Sequence, residues 1–361
     1  MLIIQKHYLK EFFKLLSLIG TGLALIFSII DLVDKIDEFM PNRPSFESLL
    51  LYILFNFPKY LLYLLPVAVL TCSLFIFSQA SRNRELVAIK AVGGKLKAIF
   101  YPFVISGILV TVFAFIIGEV VVPDFSRRSN ELKNTLKNKD RKLMFKEGTL
   151  WLRAKDGSPV RIELYIPEMK LAKGVSIFVL REDFLRERIE AEGAEWIPTS
   201  GQESKGMWRL KNVIMYDIID KKITNIPELD YPYLESPDFF SEGIKKPEEM
   251  GIGELYRYVE RLKRAGFRNT KLVVDLNSKV SYPLINLFMM LLGILLSIRS
   301  RFGGGLFAAG IGLLISTLYW IVYTLSLSIG YTGIVPAAIA AWIVPGAFGI
   351  TTGFLFGNIQ E

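Results

Sequence analysis

One histidine, His7, and one cysteine, Cys72, are all that this 361-residue sequence offers from the two side chains most used to hold metals or attack substrates. Cys72 stands inside an apolar run, so the chain alone can build neither a disulfide nor a thiolate metal site. A Gly-x-Ser-x-Gly nucleophile turn is missing as well. Two short strings imitate nucleotide chemistry. Val87-Ala88-Ile89-Lys90 spells the kinase strand that carries an ATP-binding lysine, yet no Gly-rich loop precedes it and no His-Arg-Asp or Asp-Phe-Gly follows. Gly94-Lys95 lacks the spacing and the hydroxyl residue of a phosphate-binding loop. No catalytic residue, metal or cofactor is therefore expected, and ATP hydrolysis is not expected in this chain.

The chemistry that remains is charge placed at the ends of apolar segments. Asp31, Asp34, Lys35, Asp37 and Glu38 follow an uncharged run directly. A charge at the bilayer centre costs about 3 kcal/mol or more, so these groups belong at an interface or against a cavity. One reading gives Lys35 an anionic headgroup; the other makes the cluster an ordinary membrane boundary, and the excess of acids gives it at least equal standing. On a helix Lys35 falls one turn after Asp31 and can share its face. The second charged set is Ser81-Arg82-Asn83-Arg84-Glu85-Leu86-Val87-Ala88-Ile89-Lys90-Ala91-Val92-Gly93-Gly94-Lys95. A cap-like Ser81 and a Gly-Gly stop predict a short amphipathic helix over residues 81–93, with Leu86, Ile89 and Val92 on one face and Glu85 at its edge. Between two spans, such a helix is a surface a peripheral ATPase can push. It could equally lie among lipid headgroups with its basic residues toward phosphates.

Positioning these groups falls to apolar helices. The chain is 52% hydrophobic yet 22% charged, and the two figures reconcile through segregation: residues 119–279 hold 30 of the 43 Lys/Arg and 27 of the 35 Asp/Glu. Phe302 to Gln360 carries no charge, a length that reads as two spans of roughly 20 residues each. Six stretches are long enough to cross a membrane: Phe12–Ile30, Tyr60–Ser78, Ala98–Gly118, Val280–Ile298, Leu306–Ile329 and Ile334–Phe356. The second has room to begin near Leu49, with Pro58 and Pro66 as kink sites. Span six carries Gly349, Gly353 and Gly357, a stripe that permits close helix approach. The net charge of +8 does not indicate nucleic acid, because the surplus sits beside apolar spans. Lys and Arg in the short loops place both termini in the cytoplasm and residues between spans three and four outside.

That outer insert reads as β. Val160-Arg161-Ile162-Glu163-Leu164-Tyr165-Ile166 alternates with period two after an Asp156-Gly157 turn, which pairs it with Thr149–Ala154 as a hairpin. Val160, Ile162, Leu164 and Ile166 share the parity expected to face inward. Further strands are expected at Gly174–Leu180, Arg188–Trp196, Met207–Ile219 and Lys222–Leu229, giving a sandwich or jelly roll. Helices are expected to flank it at Phe125–Lys139 and Ile252–Ala265. The expected organisation is thus an α-helical polytopic membrane protein of six spans with an inserted β-sandwich or jelly-roll domain: residues 1–123, 124–271 and 272–361.

This order of features resembles the LptF/LptG permeases of lipopolysaccharide export, over essentially the whole chain. The more specific marks are Arg84-Glu85-Leu86-Val87 through Ala91-Val92-Gly93, then Gly118-Glu119-Val120 with Pro123 closing span three. Leu150-Trp151-Leu152-Arg153-Ala154-Lys155-Asp156-Gly157 opens the β domain, and Ser278-Lys279 with Pro283 begins span four. The Leu-Trp/Ala-Lys-Asp-Gly signature and the short carboxyl tail resemble LptG more than LptF. The resemblance implies a bacterial inner-membrane protein paired with an LptF-like permease on an LptB-like ATPase dimer. Lipopolysaccharide would be extracted from the outer leaflet and passed through β-jellyroll domains to LptC-like and LptA-like partners in the periplasm. It also implies that the 81–93 helix is the coupling helix, with Arg84, Glu85, Leu86 and Ile89 as its contact set. Spans one and five would then be lateral gates, carrying Phe27, Leu318 and Trp320 into a greasy cavity. Family members can carry a lysine for lipid phosphates near the outer end of span one; here Asp31 stands at that point and Lys35 follows a turn later. Val160, Ile162, Leu164 and Ile166 would line the acyl path.

Three other readings compete. Permeases that export lipoproteins or act mechanically commonly place their large outer domain after the first span, whereas here it follows the third. A membrane-anchored enzyme lacks the catalytic groups discussed above. A scaffold displaying a β domain needs one anchor, not six.

Overall fold

The computed structural model describes residues 3–94, 96–136, 143–146, 149–181, 184–198, 206–237, 240, 245–264, 269–299 and 305–357. They form two compact units, one from residues 1–138 with 247–361 and one from residues 139–246. This boundary differs from the expected one. The helices on either side of the β strands belong with the spans, because their apolar faces are satisfied there.

Among the described residues, the helical unit contains six helices long and apolar enough to cross a membrane. Span one is α1 (Ile3–Asp34), followed by a short α2 (Ile36–Phe39). Span two is α3 (Phe46–Arg82), which runs unbroken through Pro58 and Pro66. After the short α4 (Glu85–Ala91), span three is α5 (Leu96–Ile116). It passes through a π turn, Ile117–Val121, into α6 (Val122–Leu136). Pro123, expected to close span three, does not end it. Proline cannot supply a backbone N–H, and the wider π turn accommodates the missing bond so that the chain continues as helix. The second half holds α7 (Ile252–Arg264) and spans four to six: α8 (Thr270–Arg299), α9 (Gly305–Tyr331) and α10 (Ala337–Gly357).

Span two is the hub. Spans one, four and five all lie against it, and 61% of its most apolar stretch is buried, against 22% in span one. Without water inside a bilayer to drive helices together, close backbone approach matters most. At Gly293 of span four a β-carbon would fall 1.9 Å from Ser73 Oγ of span two, so only glycine fits. In the glycine stripe of span six, Gly349 abuts Phe288, while Gly353 and Gly357 meet no other group among the described residues. Near the Arg82 end of span two, Phe77 stacks edge to face on Phe100 and Phe103, and Phe12 and Tyr8 of span one close over them.

The described residues of the second unit form one antiparallel sheet of seven strands in sequence order. They are β1 (Leu143–Lys146), β2 (Thr149–Arg153), β3 (Pro159–Ile166), β4 (Leu171–Arg181), β5 (Phe184–Pro198), β6 (Gly206–Asp217) and β7 (Lys222–Tyr231). Five of the expected strands appear close to their expected bounds, β5 starts four residues before Arg188, and β1 is additional. The hairpin at Asp156-Gly157 forms, with Leu150 opposite Ile162 and Leu152 opposite Val160. Its Asp156 carboxylate accepts from Ser158 N at 3.0 Å and from the Tyr231 hydroxyl at 2.9 Å, while Lys155 N donates to Tyr233 O at 2.8 Å. The sheet therefore curls until the turn after its second strand meets the end of its seventh. Burial and the bond to Asp156 push the Tyr231 hydroxyl's pKa up, so it stays a donor. Inside lie Leu150, Val160, Ile162, Val175, Ile177 and Trp208, among others.

Candidate functional site

The short helix expected over residues 81–93 is shorter than expected, and it is started differently. Ser81 is not its cap, because Ser81 and Arg82 still belong to span two. Asn83 and Arg84 form the joint, and Arg84 adopts a left-handed conformation, φ 58°, with no side-chain cap on the new helix. A left-handed residue reverses the chain within one step, which is how a 37-residue helix can be followed at once by another. The helix then spans Glu85–Ala91 and stops at Gly93, as the Gly-Gly pair implied.

Its four expected contact residues divide. Leu86 is buried and Ile89 packs against the same core, so these two seat the helix on the bundle. Val92, expected on their face, is instead 89% exposed, and Val87 is exposed as well. A seven-residue helix turns fully twice, so its inner and outer faces are set by the seat and not by the most hydrophobic residues. Arg84 is exposed. Glu85 lies half-buried at the boundary, where its carboxylate accepts from the Tyr8 hydroxyl of span one and from Asn83 Nδ2 at 3.0 Å. A shallow groove of about 410 Å³ opens between Ile3, Ile4, His7 and Tyr8 of span one and Glu85 and Ile89 of this helix.

At the other end of span one a second carboxylate is held more tightly. Asp31 accepts from Lys35 Nζ at 2.5 Å and from the Tyr52 hydroxyl at 2.8 Å, and Tyr60 also reaches it. Lys35 Nζ lies 3.0 Å from the Tyr52 oxygen too. Span one ends at Asp34, so Lys35 sits in the joint before α2 and not on the continuing helix, yet it keeps the one-turn contact with Asp31. The loop beyond is fastened by Phe39 against Tyr52 and Leu136, and by Asn42 Nδ2 donating to Leu136 O at 2.7 Å. Tyr52 and Tyr60 were not singled out from sequence. Both lie in span two, and no local pattern points them at a carboxylate 21 and 29 residues earlier.

Phe27 lies on span one and Leu318 and Trp320 on span five. Each span leans on the bundle through a narrow buried stripe: Phe12, Leu16, Gly20, Ala24 and Ser28 in span one, and Ala308, Gly312, Ser316 and Tyr319 in span five. Their broad faces are uncovered, with Phe27 41%, Leu318 63% and Trp320 53% exposed. In β3, Val160 and Ile162 lie inside the closed core, but Leu164 is only half-buried, and Tyr165 of the opposite parity is buried together with Ile166. Tyr165 is drawn inward by Trp208 and Phe240 and by its hydroxyl's bond to Pro237 O at 3.0 Å, which breaks the alternation. The π turn of span three places Glu119 Oε2 2.6 Å from Ile252 N, where it caps α7. Among the described residues no cluster of His, Cys, Asp and Glu is arranged to hold a metal ion.

Residues 6–358 match the family described as lipopolysaccharide export system permease LptF/LptG. No curated protein matches the chain. A match over nearly the whole length, with six membrane-length helices interrupted by a β sheet after the third, settles the relationship: the chain belongs to the LptF/LptG family of lipopolysaccharide export permeases.

Proposed function

We propose that the chain is the LptG-like half of an ATP-driven exporter that lifts lipopolysaccharide out of the inner membrane and hands it to a periplasmic bridge. The observation that carries this reading is the pair of spans one and five, which touch the hub through small residues and leave large apolar side chains uncovered. An LptF-like partner covers part of that surface, and the acyl chains occupy the rest. Lys35 sits at the outer rim; with two of its three N–H donors directed at Asp31 and Tyr52, the third can meet a lipid phosphate. Both termini lie in the cytoplasm and the β unit in the periplasm.

The coupling helix receives the stroke of a separate LptB-like ATPase dimer. Arg84, Glu85, Val87 and Val92 make the contact, and Leu86 and Ile89 carry the motion into the bundle. The β unit shields acyl chains from water, where each exposed methylene costs about 0.8 kcal/mol. It passes them along the Val160, Ile162, Leu164 and Ile166 strand toward LptC-like and LptA-like proteins. Because Val160 and Ile162 are enclosed, that core must open when lipid enters.

Affinity purification in mild detergent tests the assembly: an ATPase, a second permease and lipopolysaccharide should accompany the chain. Photocrosslinkers at Val160 and Ile162 should capture lipid only while ATP is turned over, and those at Arg161 and Glu163 should not. Purification of the chain alone, free of lipid, would overturn the reading.

A further inference from the structure

We infer that Tyr8 is the positioning residue that ties the cytoplasmic end of span one to the coupling helix, so that the gate moves with the helix the ATPase pushes. The inference rests on the proposed function and adds a residue and a contact to it. Span one has few firm holds. Through its middle the buried positions shrink to Gly20, Ala24 and Ser28, where a helix can tilt or slide with little loss of contact. Polar fastenings occur at its two ends: the Asp31 cluster outside, and Gln5 and Tyr8 inside.

Of the inner pair, Gln5 Nε2 donates to Ala98 O of span three at 2.7 Å. Tyr8 reaches the coupling helix by donating its hydroxyl to the Glu85 carboxylate. The Tyr8 ring is held in place by Phe77 of span two, 6.1 Å between centroids, and the residue is buried. The hydroxyl is therefore aimed by packing and not by chance. Glu85 has two oxygens with room for about four donors, and Tyr8 and Asn83 supply two. An arginine or lysine of the ATPase can add a third without displacing Tyr8. One carboxylate thus joins the ATPase, the coupling helix and span one.

The test is Tyr8→Phe in the full reconstituted complex, since phenylalanine keeps the ring against Phe77 and removes only the hydroxyl. Lipid released per ATP hydrolysed should fall about tenfold, the scale of one hydrogen bond to a charged group. Glu85→Gln should lower the same ratio, and the double variant should be no worse than the lower single, because both remove one contact. Spin labels at the exposed positions Leu18 and Val87 supply a readout that packing alone would not move. Their separation should stay constant through the nucleotide cycle in the wild type and vary in Tyr8→Phe. An unchanged ratio in Tyr8→Phe, or additive losses in the double variant, overturns the inference while leaving the proposed function standing. A wild-type complex that binds no ATPase overturns both.

Discussion

The two ends of span one each hold a carboxylate, and they hold it differently. At the Asp34 end, Asp31 is met by an ammonium and two phenols, so its charge is neutralised within the chain. At the Ile3 end, Glu85 is met by a phenol and an amide, both neutral, so these partners leave its negative charge unneutralised. A carboxylate satisfied by neutral donors is positioned without being discharged; one paired with a cation stabilises its own surroundings and has little left to offer a partner. The lesson is that solvation by neutral donors marks a charge kept for use, while internal pairing marks a charge that builds structure.

The comparison is most exposed at Glu85. Glu85→Arg turns the available charge around while Leu86 and Ile89 still seat the helix, so lipid release from proteoliposomes should fall by at least about tenfold with the thermal midpoint nearly unchanged. Normal transport at normal stability would return this helix to the lipid headgroups.

The Asp31 end should behave in the opposite way. Asp31→Ala leaves the Lys35 ammonium and two tyrosine hydroxyls without their acceptor, and should destabilise the chain by about 2–4 kcal/mol, read as a lower unfolding temperature in detergent. Asp31→Lys, which charge counting alone would favour beside an anionic lipid, should be worse still. Stability equal to wild type in either variant would remove the contrast between the two ends.

A third carboxylate sharpens the scale. Asp230 of β7 is paired with Arg209 of β6 at 2.8 Å, but on an exposed face, and the guanidinium holds its carboxyl below the ordinary carboxylate range. A lowered pKa contributes stability above the ordinary carboxylate value, and that contribution is lost as pH falls through the lowered value. Arg209→Ala should therefore flatten the acid limb of the stability profile slightly and leave transport intact. Screening by water makes this the smallest of the three effects. A loss as large as that of Asp31→Ala would show that burial does not govern the difference.

The sequence by itself determined the six spans, the β insert after the third, and the family. Apolar length decides what crosses a membrane, and alternation with turn residues decides what pairs as strands, and both are local properties of the chain. It also located the turn at Asp156-Gly157 and the stop at Gly93, because backbone conformation at such points is decided by one or two residues. Only the tertiary structure decided which side of the short Glu85–Ala91 helix faces the bundle, why Tyr165 abandons its strand's alternation, and that this helix starts at Glu85 and not at Ser81. These depend on neighbours far along the chain: Phe77 and the span-two core for the first, Trp208 and Phe240 for the second, the extra length of span two for the third. The same holds for the two carboxylates. Their types and positions were plain from the start, but whether a charge is spent or kept depends on which donors folding brings to it. Tyr8, Tyr52 and Tyr60 reach theirs across 77, 21 and 29 residues of chain, distances over which no sequence pattern carries information about a hydroxyl's direction.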